Sequence, residues 1–407
     1  MKFWPVKGNH QLQLGIEPER LEHDQNIKRT GYRHHRLDGS VATEVSFYSN
    51  GAFKRSNVTT GAFLQNIWTL KPNRLFDALV AGAGVRLDYN RKLDDSIVTP
   101  RFNISLMPAG IGGWTRLTAG IGWIPENVNL YMLTRPFDQT AIMKGFDRNG
   151  ALNGVSFAHI FTIDQQKIFF PKITNISLGL EQKLPKNLNV QLNFLRKRES
   201  NGFFFDLDQT LTKERADKEQ DPGIFPLVFQ LKNGKTLTYD AAEIAVSKQL
   251  TFKNDSYDLF ASYSRSSARS NAAGEYGLDT PVRYSHIAGR LGYDIPNRFV
   301  SWGIFETERL RGILLSYHLE YRDGLLYTIS NDEGAQVGEF NGQRMPSYFS
   351  LNVRLGKNFS RTLGASRYKF QVRVSVENIT NNDNATLINS NISSLAFMTL
   401  YGKYPRH

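Results

Sequence analysis

Apolar and polar residues alternate along much of this chain, and the pattern is clearest near the C-terminus. There, aromatic and β-branched residues alternate with charged and uncharged polar ones: Tyr368, Phe370, Val372, Val374 and Val376 against Lys369, Gln371, Arg373, Ser375 and Glu377. Successive side chains of a β-strand point to opposite faces of the sheet. This segment is therefore predicted to be a strand with one apolar face and one polar face.

The same alternation recurs in about fourteen segments, without a helical period of comparable length. The strongest pattern is a hairpin that joins residues 176–180 and 188–194 through a tight turn at 184–187. Short turns alternate with long connections, the longest of them expected over 125–172 and 201–226. Membrane barrels combine alternating strands with short turns at one end and long loops at the other. The pattern predicts an all-β fold, a transmembrane antiparallel β-barrel.

Length and composition agree with a membrane barrel and exclude a helical membrane protein. The chain has 407 residues, of which 40% are hydrophobic and 12% aromatic, and its mean hydropathy is −0.40. No apolar run approaches the roughly 20 residues that a membrane helix needs. A barrel strand escapes that requirement because half of its residues face water. The absence of cysteine from the sequence rules out disulfides and thiolate metal sites.

The net charge of +12 raises the question of nucleic-acid binding. Lys and Arg are scattered over strands and loops, and no helix is predicted that could enter a groove, so this class is disfavoured. The charge fits better with contacts to lipopolysaccharide phosphates, or with an electropositive lumen that attracts anions.

Three pairs of residues resemble ligand sites: Gly82 and Gly84, His34 and His35, and Asp206 and Asp208. The glycines are not followed by a helix that could bind phosphate, so crowding in a lumen or strand curvature explains them better. Adjacent histidines on a strand point in opposite directions, which is poor geometry for one metal ion. Two carboxylates are too few to define a calcium site.

An enzyme on a barrel scaffold is a rival interpretation, which requires a nucleophile and a histidine base. His159, His286 and His318 are available, but no spacing selects a triad. We therefore expect no catalytic, cofactor or metal site. The residues most relevant to function are charged ones on polar strand faces, predicted to face the lumen as charge ladders or as contacts for a plug or substrate: Arg86, Asp88, Arg290, Arg354, Lys369, Arg373 and Glu377.

Several short motifs also follow one another in order along nearly the whole chain: His10-x-Leu12-x-Leu14-Gly15, Gly84-Val85-Arg86-Leu87-Asp88, Thr99-Pro100-Arg101-Phe102, Leu178-Gly179-Leu180-Glu181-x-x-Leu184-Pro185, Tyr293-Asp294-Ile295-Pro296-Asn297-Arg298-Phe299, Tyr321-Arg322-Asp323-Gly324-Leu325-Leu326-Tyr327-Thr328 and Val374-x-Val376-x-Asn378-Ile379-Thr380-Asn381. This series resembles the barrel of TonB-dependent outer-membrane receptors, especially the large Oar-like group with carboxypeptidase-regulatory-like N-terminal domains. The resemblance implies a barrel of about 22 strands filled by an N-terminal plug. It also implies a TonB box that couples transport to energy from the inner membrane.

The sequence departs from the family pattern at both ends. No signal peptide, TonB box or plug is recognised, and residues 402–407 resemble the turn that precedes the family's last strand. We therefore expect residues 1–407 to be one barrel domain and a fragment, with about 14 of a probable 22 or so strands and without the last strand.

The expected function is energy-coupled uptake of a scarce ligand across a bacterial outer membrane. The expected partners are outer-membrane lipid, lipopolysaccharide, an unidentified small ligand and, through a plug and TonB box, the TonB complex; nucleic acid and cofactors are not expected. Two alternatives stay open. One is a passive porin that closes on itself, and the other is an outer-membrane barrel enzyme.

Overall fold

Strands dominate the computed structural model, which describes residues 8–26, 30–49, 52–110, 114–126, 130–134, 139–163, 168–252, 255–272, 288–307, 312–363 and 366–403. The helices in these ranges are short: α1 (Leu130–Thr134) and α2 (Gln209–Ala216) both lie in connections between strands. No helix in the described ranges is long and apolar enough to cross a membrane.

The strands of the described ranges are numbered in chain order: β1 (Gly8–Asn26), β2 (Tyr32–His35), β3 (Val41–Ser49), β4 (Ala52–Leu70), β5 (Phe76–Asn90), β6 (Asp95–Pro108), β7 (Thr115–Pro125), β8 (Gln139–Gly145), β9 (Ser156–Ile163), β10 (Lys172–Leu184), β11 (Leu188–Leu207), β12 (Ile224–Phe252), β13 (Asp255–Ser270), β14 (Gly289–Arg290), β15 (Asn297–Thr307), β16 (Ile313–Arg322), β17 (Leu326–Tyr327), β18 (Ile329–Ser330), β19 (Gln336–Val337), β20 (Gln343–Arg344), β21 (Tyr348–Leu363), β22 (Ser366–Val376), β23 (Leu387–Ile388) and β24 (Leu400–Tyr401).

Thirteen long strands form one antiparallel meander within the described ranges, in the order β1-β4-β5-β6-β7-β10-β11-β12-β13-β15-β16-β21-β22. Their lengths run from 10 residues in β16 to 29 in β12. A tilted membrane strand needs about 9–11 residues, so each can cross a bilayer. The predicted all-β antiparallel fold is confirmed.

The alternation of the sequence becomes two unlike faces of this sheet, because directly paired residues of neighbouring strands share a face. Leu14 pairs with Leu64, and Leu64 pairs with Val85. The same face continues to β21 and β22, where Leu355 pairs with Val374. Many large side chains of this apolar face are exposed to solvent, among them Leu14, Leu64, Val85, Phe102, Leu178, Leu192, Leu355, Phe370 and Val374. The opposite, polar face carries most of the charged and amide side chains of the strands.

The two ends of the meander differ in the lengths of their connections. At the turn end, the strands are joined by 71–75, 109–114, 185–187, 253–254, 308–312 and 364–365. At the loop end, they are joined by 27–51, 91–94, 126–171, 208–223, 271–296 and 323–347. The asymmetry predicted from the sequence is therefore present, with one short exception at 91–94. The predicted hairpin is also present, with positive φ at Lys186 and Asn187 in its turn.

The loop end carries additional sheet that we call the cap, formed by β2, β3, β8, β9 and the helices α1 and α2. Strand β3 pairs with β2 and β8, and β8 pairs with β9. Strand β9 then runs parallel to the first residues of β12, with Ser156 opposite Ile224. The long strands β11 and β12 of the meander therefore extend into the cap, with a shift of their pairing register between Glu199 and Phe203.

Two connections differ from the sequence prediction of long irregular loops. Residues 126–171 contain α1, β8 and β9, and residues 201–226 contain the end of β11, the helix α2 and the start of β12. These segments are strands because they pair with one another and with β3, over distances in sequence that a local pattern does not reveal. Tertiary pairing overrides a weak local signal.

The meander has two edges in the described part of the chain. Strand β1 pairs with β4, and β22 pairs with β21, but β1 and β22 are not paired with each other there. An unpaired edge presents backbone N–H and C=O groups that lipid cannot satisfy. The described strands thus form an open part of a barrel.

Candidate ligand chamber on the polar face and under the cap

The polar face near β1, β4 and β5 holds a charge network centred on Arg86. Its Nη1 donates to Oε2 of Glu17 at 2.6 Å, and its Nε donates to Oδ1 of Asp88 at 2.8 Å. Gly61 stands between Glu17 and Asp88 in the register, and a side chain there would clash with the guanidinium. The strands can therefore bring one cation between two carboxylates because the middle position is glycine.

A cavity of about 420 Å³ opens beside this network. Its lining includes the acidic residues Glu17, Glu19, Asp88 and Glu126 against the single cation Arg86. The other wall is formed by Phe170 from the long connection, whose backbone N–H donates to Asp95 Oδ2 at 2.8 Å. The cavity thus offers acceptors to a polar ligand, at the place where the cap connection returns to the sheet.

The polar face becomes basic towards β21 and β22. Arg354, Lys369 and Arg373 lie on it, and their side chains are exposed. Arg354 Nε donates to Ser375 Oγ at 3.1 Å, and no ion pair of these three cations is formed within the described residues. The polar face therefore changes from mainly acidic beside Arg86 to basic at β21 and β22.

Of the seven residues predicted to face a lumen, the structure brings five to one face: Arg86, Asp88, Arg354, Lys369 and Arg373. Glu377 follows the last residue of β22 and is exposed. Whether the polar face lines a lumen stays a prediction.

Arg290 lies on the other face, which corrects its sequence-based assignment. It pairs with Arg269, which is on the apolar face of β13. The assignment assumed a strand running through Leu291 and Tyr293, but β14 has only two residues and 291–296 form a turn. In that turn Asp294 N donates to Leu291 O at 2.8 Å, so alternation along the sequence does not report a face there.

An aromatic group on the polar face was not found from the sequence. Phe260 and Trp302 stack with ring centroids 5.5 Å apart, and His318 is the direct partner of Trp302 on β16. Trp302 keeps 37% of its surface exposed. The pairing register with β13 places Trp302 on the polar face, opposite Phe260.

The cap has its own apolar core, formed by Leu93, Met132, Leu133, Ile168, Phe170, Phe203 and Leu231. These residues come from the 91–94 turn, from α1, from the end of the long connection and from the extended ends of β11 and β12. A packed core of this kind gives the loop end a defined shape, so the cap can present side chains in fixed positions to a ligand.

Two loops from distant parts of the sheet meet in the cap. Leu37 N donates to Asp332 Oδ1 at 3.1 Å, and Arg36 Nη2 lies 3.6 Å from Glu333 Oε1. The Arg36 side chain is almost fully buried and also donates to the carbonyls of Val41, Phe146 and Asp147. One guanidinium thus ties the connection after β1 to the connections after β7 and β16.

His159 on β9 is buried in the cap with 1% of its surface exposed. Neither ring nitrogen has a hydrogen-bond partner within the described residues, and the ring packs edge-on against Phe229 at 5.7 Å. Burial lowers the pKa of His159 to about 4. A buried histidine without a carboxylate partner to orient it is poorly suited to act as a catalytic base.

The remaining sequence candidates do not form ligand sites among the described residues. Asp206 and Asp208 share the ammonium group of Lys232, and Asp208 also accepts from Leu211 N as the N-cap of α2, which lowers its pKa. His35 Nδ1 is 3.0 Å from Gly39 O in the β2–β3 turn. His286 lies outside the described residues. No group of three or more His, Asp or Glu side chains in the described ranges is arranged to hold a metal ion.

No protein-family model and no curated protein matches the chain. Solved structures do match in fold. The outer membrane transporter YddB from Escherichia coli is 14% identical with a TM-score of 0.64, over 100% of this chain and 51% of that one. A variant of the ferric enterobactin receptor PfeA from Pseudomonas aeruginosa, in complex with enterobactin, is 11% identical with a TM-score of 0.55, over 97% and 53%.

The siderophore receptor PirA from Acinetobacter baumannii is 12% identical with a TM-score of 0.53, over 97% of this chain and 54% of that one. The chain therefore spans about half of the length of the solved structures it matches. Identity at this level shows the fold alone. The chain has the fold of part of a transmembrane antiparallel β-barrel.

Proposed function

We propose that this chain is the barrel part of a TonB-dependent outer-membrane receptor and takes part in energy-coupled uptake of a scarce ligand. In this proposal residues 1–407 belong to one barrel domain of a bacterial outer membrane. The plug and TonB box that the family resemblance implies would couple the barrel to the inner membrane. The barrel itself supplies the membrane passage and the outer surface that selects the ligand.

The observation that carries the proposal is the pairing register of the meander. It places an exposed apolar band on one face of thirteen strands and most of the charged residues on the other. A soluble sheet of this size buries its apolar face against a second layer. Here the large apolar side chains remain exposed, as is required where lipid is the solvent.

The ligand proposed for the chamber is a polar molecule that hydrogen-bonds to carboxylates and stacks on aromatic rings. The acidic cavity beside Arg86 and the exposed ring of Trp302 provide these contacts on the polar face. Two of the structural neighbours are named as receptors for ferric enterobactin and for a siderophore. A scarce solute of that size class, too large or too dilute for porins, is the cargo that the proposal assigns to this chain.

The experiment compares three strains: the parent, one with the gene for this chain disrupted, and one lacking the energy-coupling protein TonB. Each is grown in a defined medium, and solutes remaining at low concentration are measured by mass spectrometry. The proposal expects at least one solute to remain in the medium of both the disrupted and the TonB-lacking strain, but not in the medium of the parent. A solute left by the disrupted strain but removed without TonB would instead favour passive passage.

The passive porin is tested separately by planar-bilayer conductance of the refolded chain. Stable ohmic steps would support it and contradict the proposal. We also propose that the chain is not an enzyme, a proposal that agrees with the description of two matched structures as a transporter and a receptor.

A further inference from the structure

The cavity beside Arg86 has more negative charge than its own cation can balance. Four carboxylates belong to its lining, those of Glu17, Glu19, Asp88 and Glu126. Arg86 is the single cation of that lining, and it already binds both Glu17 and Asp88. Glu19 forms no ion pair among the described residues. Four carboxylates against one guanidinium leave an excess of three negative charges in the lining.

Two buried asparagines add hydrogen-bond donors to the same cavity. Asn57 and Asn90 line it, and they keep only 2% and 1% of their surfaces exposed. The side-chain oxygen of each accepts from the backbone N–H of Lys92, which fixes the orientation of both amides. Neither Nδ2 makes a hydrogen bond in the part of the chain that the structure describes. A buried donor without a partner costs free energy, so a ligand that supplies an acceptor is stabilised here.

The pairing register places the carboxylates and the amide donors on one surface. Glu19 and Asn90 are both direct partners of Thr59. Asn57 precedes Thr59 by two residues on β4 and therefore lies on the same face. Neighbouring strands are about 4.8 Å apart, so the backbones of Glu19 and Asn90 are separated by about 10 Å. An extended chain of about three residues covers that distance.

Part of the cavity wall is apolar. Leu21, Pro125 and Phe170 contribute to it, and Phe170 also belongs to the apolar core of the cap. Long basic side chains bury their methylene stems against apolar surface while the charged end meets polar partners. The volume of about 420 Å³ lies within the range of about 300–1,000 Å³ that is typical of small-molecule sites. The cavity therefore fits a ligand of a few residues with basic side chains.

We propose that this cavity binds a short basic peptide, its cationic groups on the carboxylates and its backbone carbonyls on the amides of Asn57 and Asn90. The inference rests on the proposed function, for which it names the substrate class. The charge excess selects a cation over an anion, because a carboxylate withdrawn from water needs an opposite charge. The amide donors select a peptide over a simple polyamine, because an ammonium group cannot accept a hydrogen bond.

The experiment measures binding to the full chain, purified in detergent from outer membranes, by isothermal titration calorimetry. The probes are trilysine, spermidine, trialanine and triglutamate, and trilysine should bind most tightly. Spermidine has a similar net charge but no carbonyl, so it should bind about tenfold more weakly. Trialanine lacks basic side chains and should bind about 30-fold more weakly or worse. Triglutamate should not bind.

Glu19→Gln tests the contact with the cation. Glu19 is exposed and accepts one hydrogen bond, from Thr59 Oγ1 at 3.3 Å, so the fold should tolerate the change. The affinity for trilysine should fall about tenfold, and the affinity for trialanine should not change. Glu243→Gln is the matched control, because Glu243 lies on the polar face outside this cavity and likewise has no ion pair among the described residues. This control should bind trilysine like the parent chain.

Asn90→Asp tests the contact with the carbonyl. It keeps the oxygen that accepts from the backbone of Lys92 and replaces the amide donor. The preference for trilysine over spermidine should therefore fall about threefold. Asn103→Asp, which adds the same charge to the polar face outside the cavity, should leave that preference unchanged.

Four results would overturn the inference. The first is that no probe binds, and the second is that spermidine, trialanine or triglutamate binds as tightly as trilysine. The third is that Glu243→Gln weakens the binding of trilysine as much as Glu19→Gln does. The fourth is that Asn103→Asp lowers the preference for trilysine as much as Asn90→Asp does.

The growth comparison of the three strains separates failure of this inference from failure of the proposed function. If some solute depends on both this chain and TonB but trilysine does not bind, only the substrate class is wrong. If trilysine binds as expected but the three strains remove every solute equally, the proposed function fails and the peptide site stands.

Discussion

The assignment of the apolar face to lipid predicts the effect of one charge placed on either side of β6. Phe102 and Asn103 are consecutive residues on opposite faces of this strand, and both are exposed. Phe102 pairs with Ala83 and Ile121, while Asn103 pairs with Gly82 and Gly120. Both positions therefore have room for a longer side chain. Phe102→Arg and Asn103→Arg form a matched pair that differs in the face that carries the charge.

The expected magnitude follows from the solvent that each face meets. Phe102 is 51% exposed and lies at the centre of the apolar positions of β6. If that face met water, an arginine there would change the free energy of unfolding by about 0.5 kcal/mol at most. In a bilayer the same charge near the midplane costs about 2–4 kcal/mol. That cost corresponds to a fall of about 30- to 700-fold in the folding equilibrium constant.

The assay is urea unfolding of the chain refolded into phospholipid vesicles, followed by tryptophan fluorescence. Phe102→Arg should lower the free energy of unfolding by about 2–4 kcal/mol, and Asn103→Arg should leave it within about 0.5 kcal/mol of the parent. Equal effects of the two substitutions would refute the assignment of faces. A larger effect of Asn103→Arg would reverse it.

Three further substitutions test the chamber and the cap. Arg86→Met should lower the free energy of unfolding by about 1.5–3 kcal/mol in the same assay, because Asp88 loses its charged partner. The double variant Arg86→Met with Asp88→Asn should regain part of that free energy. If it regains none, the ion pair of Arg86 with Asp88 does not stabilise the sheet. Arg36→Met should speed the hydrogen exchange of backbone amides in residues 30–40, because it removes donors from buried carbonyls. Arg33→Met is the control, because the ion pair of Arg33 with Glu44 is exposed and its loss should change little. Equal effects of the two substitutions would contradict the role of Arg36. Burial lowers the pKa of His159 to about 4, so the folded cap disfavours the protonated ring. The free energy of local unfolding of β9 should therefore be highest above pH 6.5 and should fall by about 3 kcal/mol as the pH drops towards 4. Hydrogen exchange of β9 amides measures this fall, and His159→Leu should abolish it; a fall that persists in that variant would assign it to another group.

Sequence reasoning was most successful where the signal is local. The hairpin of β10 and β11 follows from alternation on both sides of a tight turn, and the structure has it with Leu184 opposite Leu188. The face of Arg86, Asp88, Arg354 and the two cations of β22 likewise follows from alternation within long strands. In each case the alternation of apolar and polar residues has the same two-residue period as the alternation of side chains between the two faces of a strand.

Sequence reasoning failed where position depends on a distant partner. Arg290 was assigned to the polar face from alternation with apolar neighbours, but those neighbours form a turn. The segment that contains β8 and β9 was expected to be a loop, because both strands are short and their partners lie in β3 and β12. The signal that could have revealed them is the apolar run Phe157, His159 and Phe161, which was too short to stand out.

The sequence alone determined that this protein is a succession of two-faced strands, since a period of two can be satisfied only by extended backbone. Short turns and long connections sorted those strands into two ends. The tertiary structure decided what the sequence leaves open: which strands are neighbours, and at what register. That register brings Glu17 and Asp88 to the two sides of Arg86, and it buries His159 against Phe229. Contacts between residues far apart in the chain depend on the packing of the whole sheet, which no local pattern records.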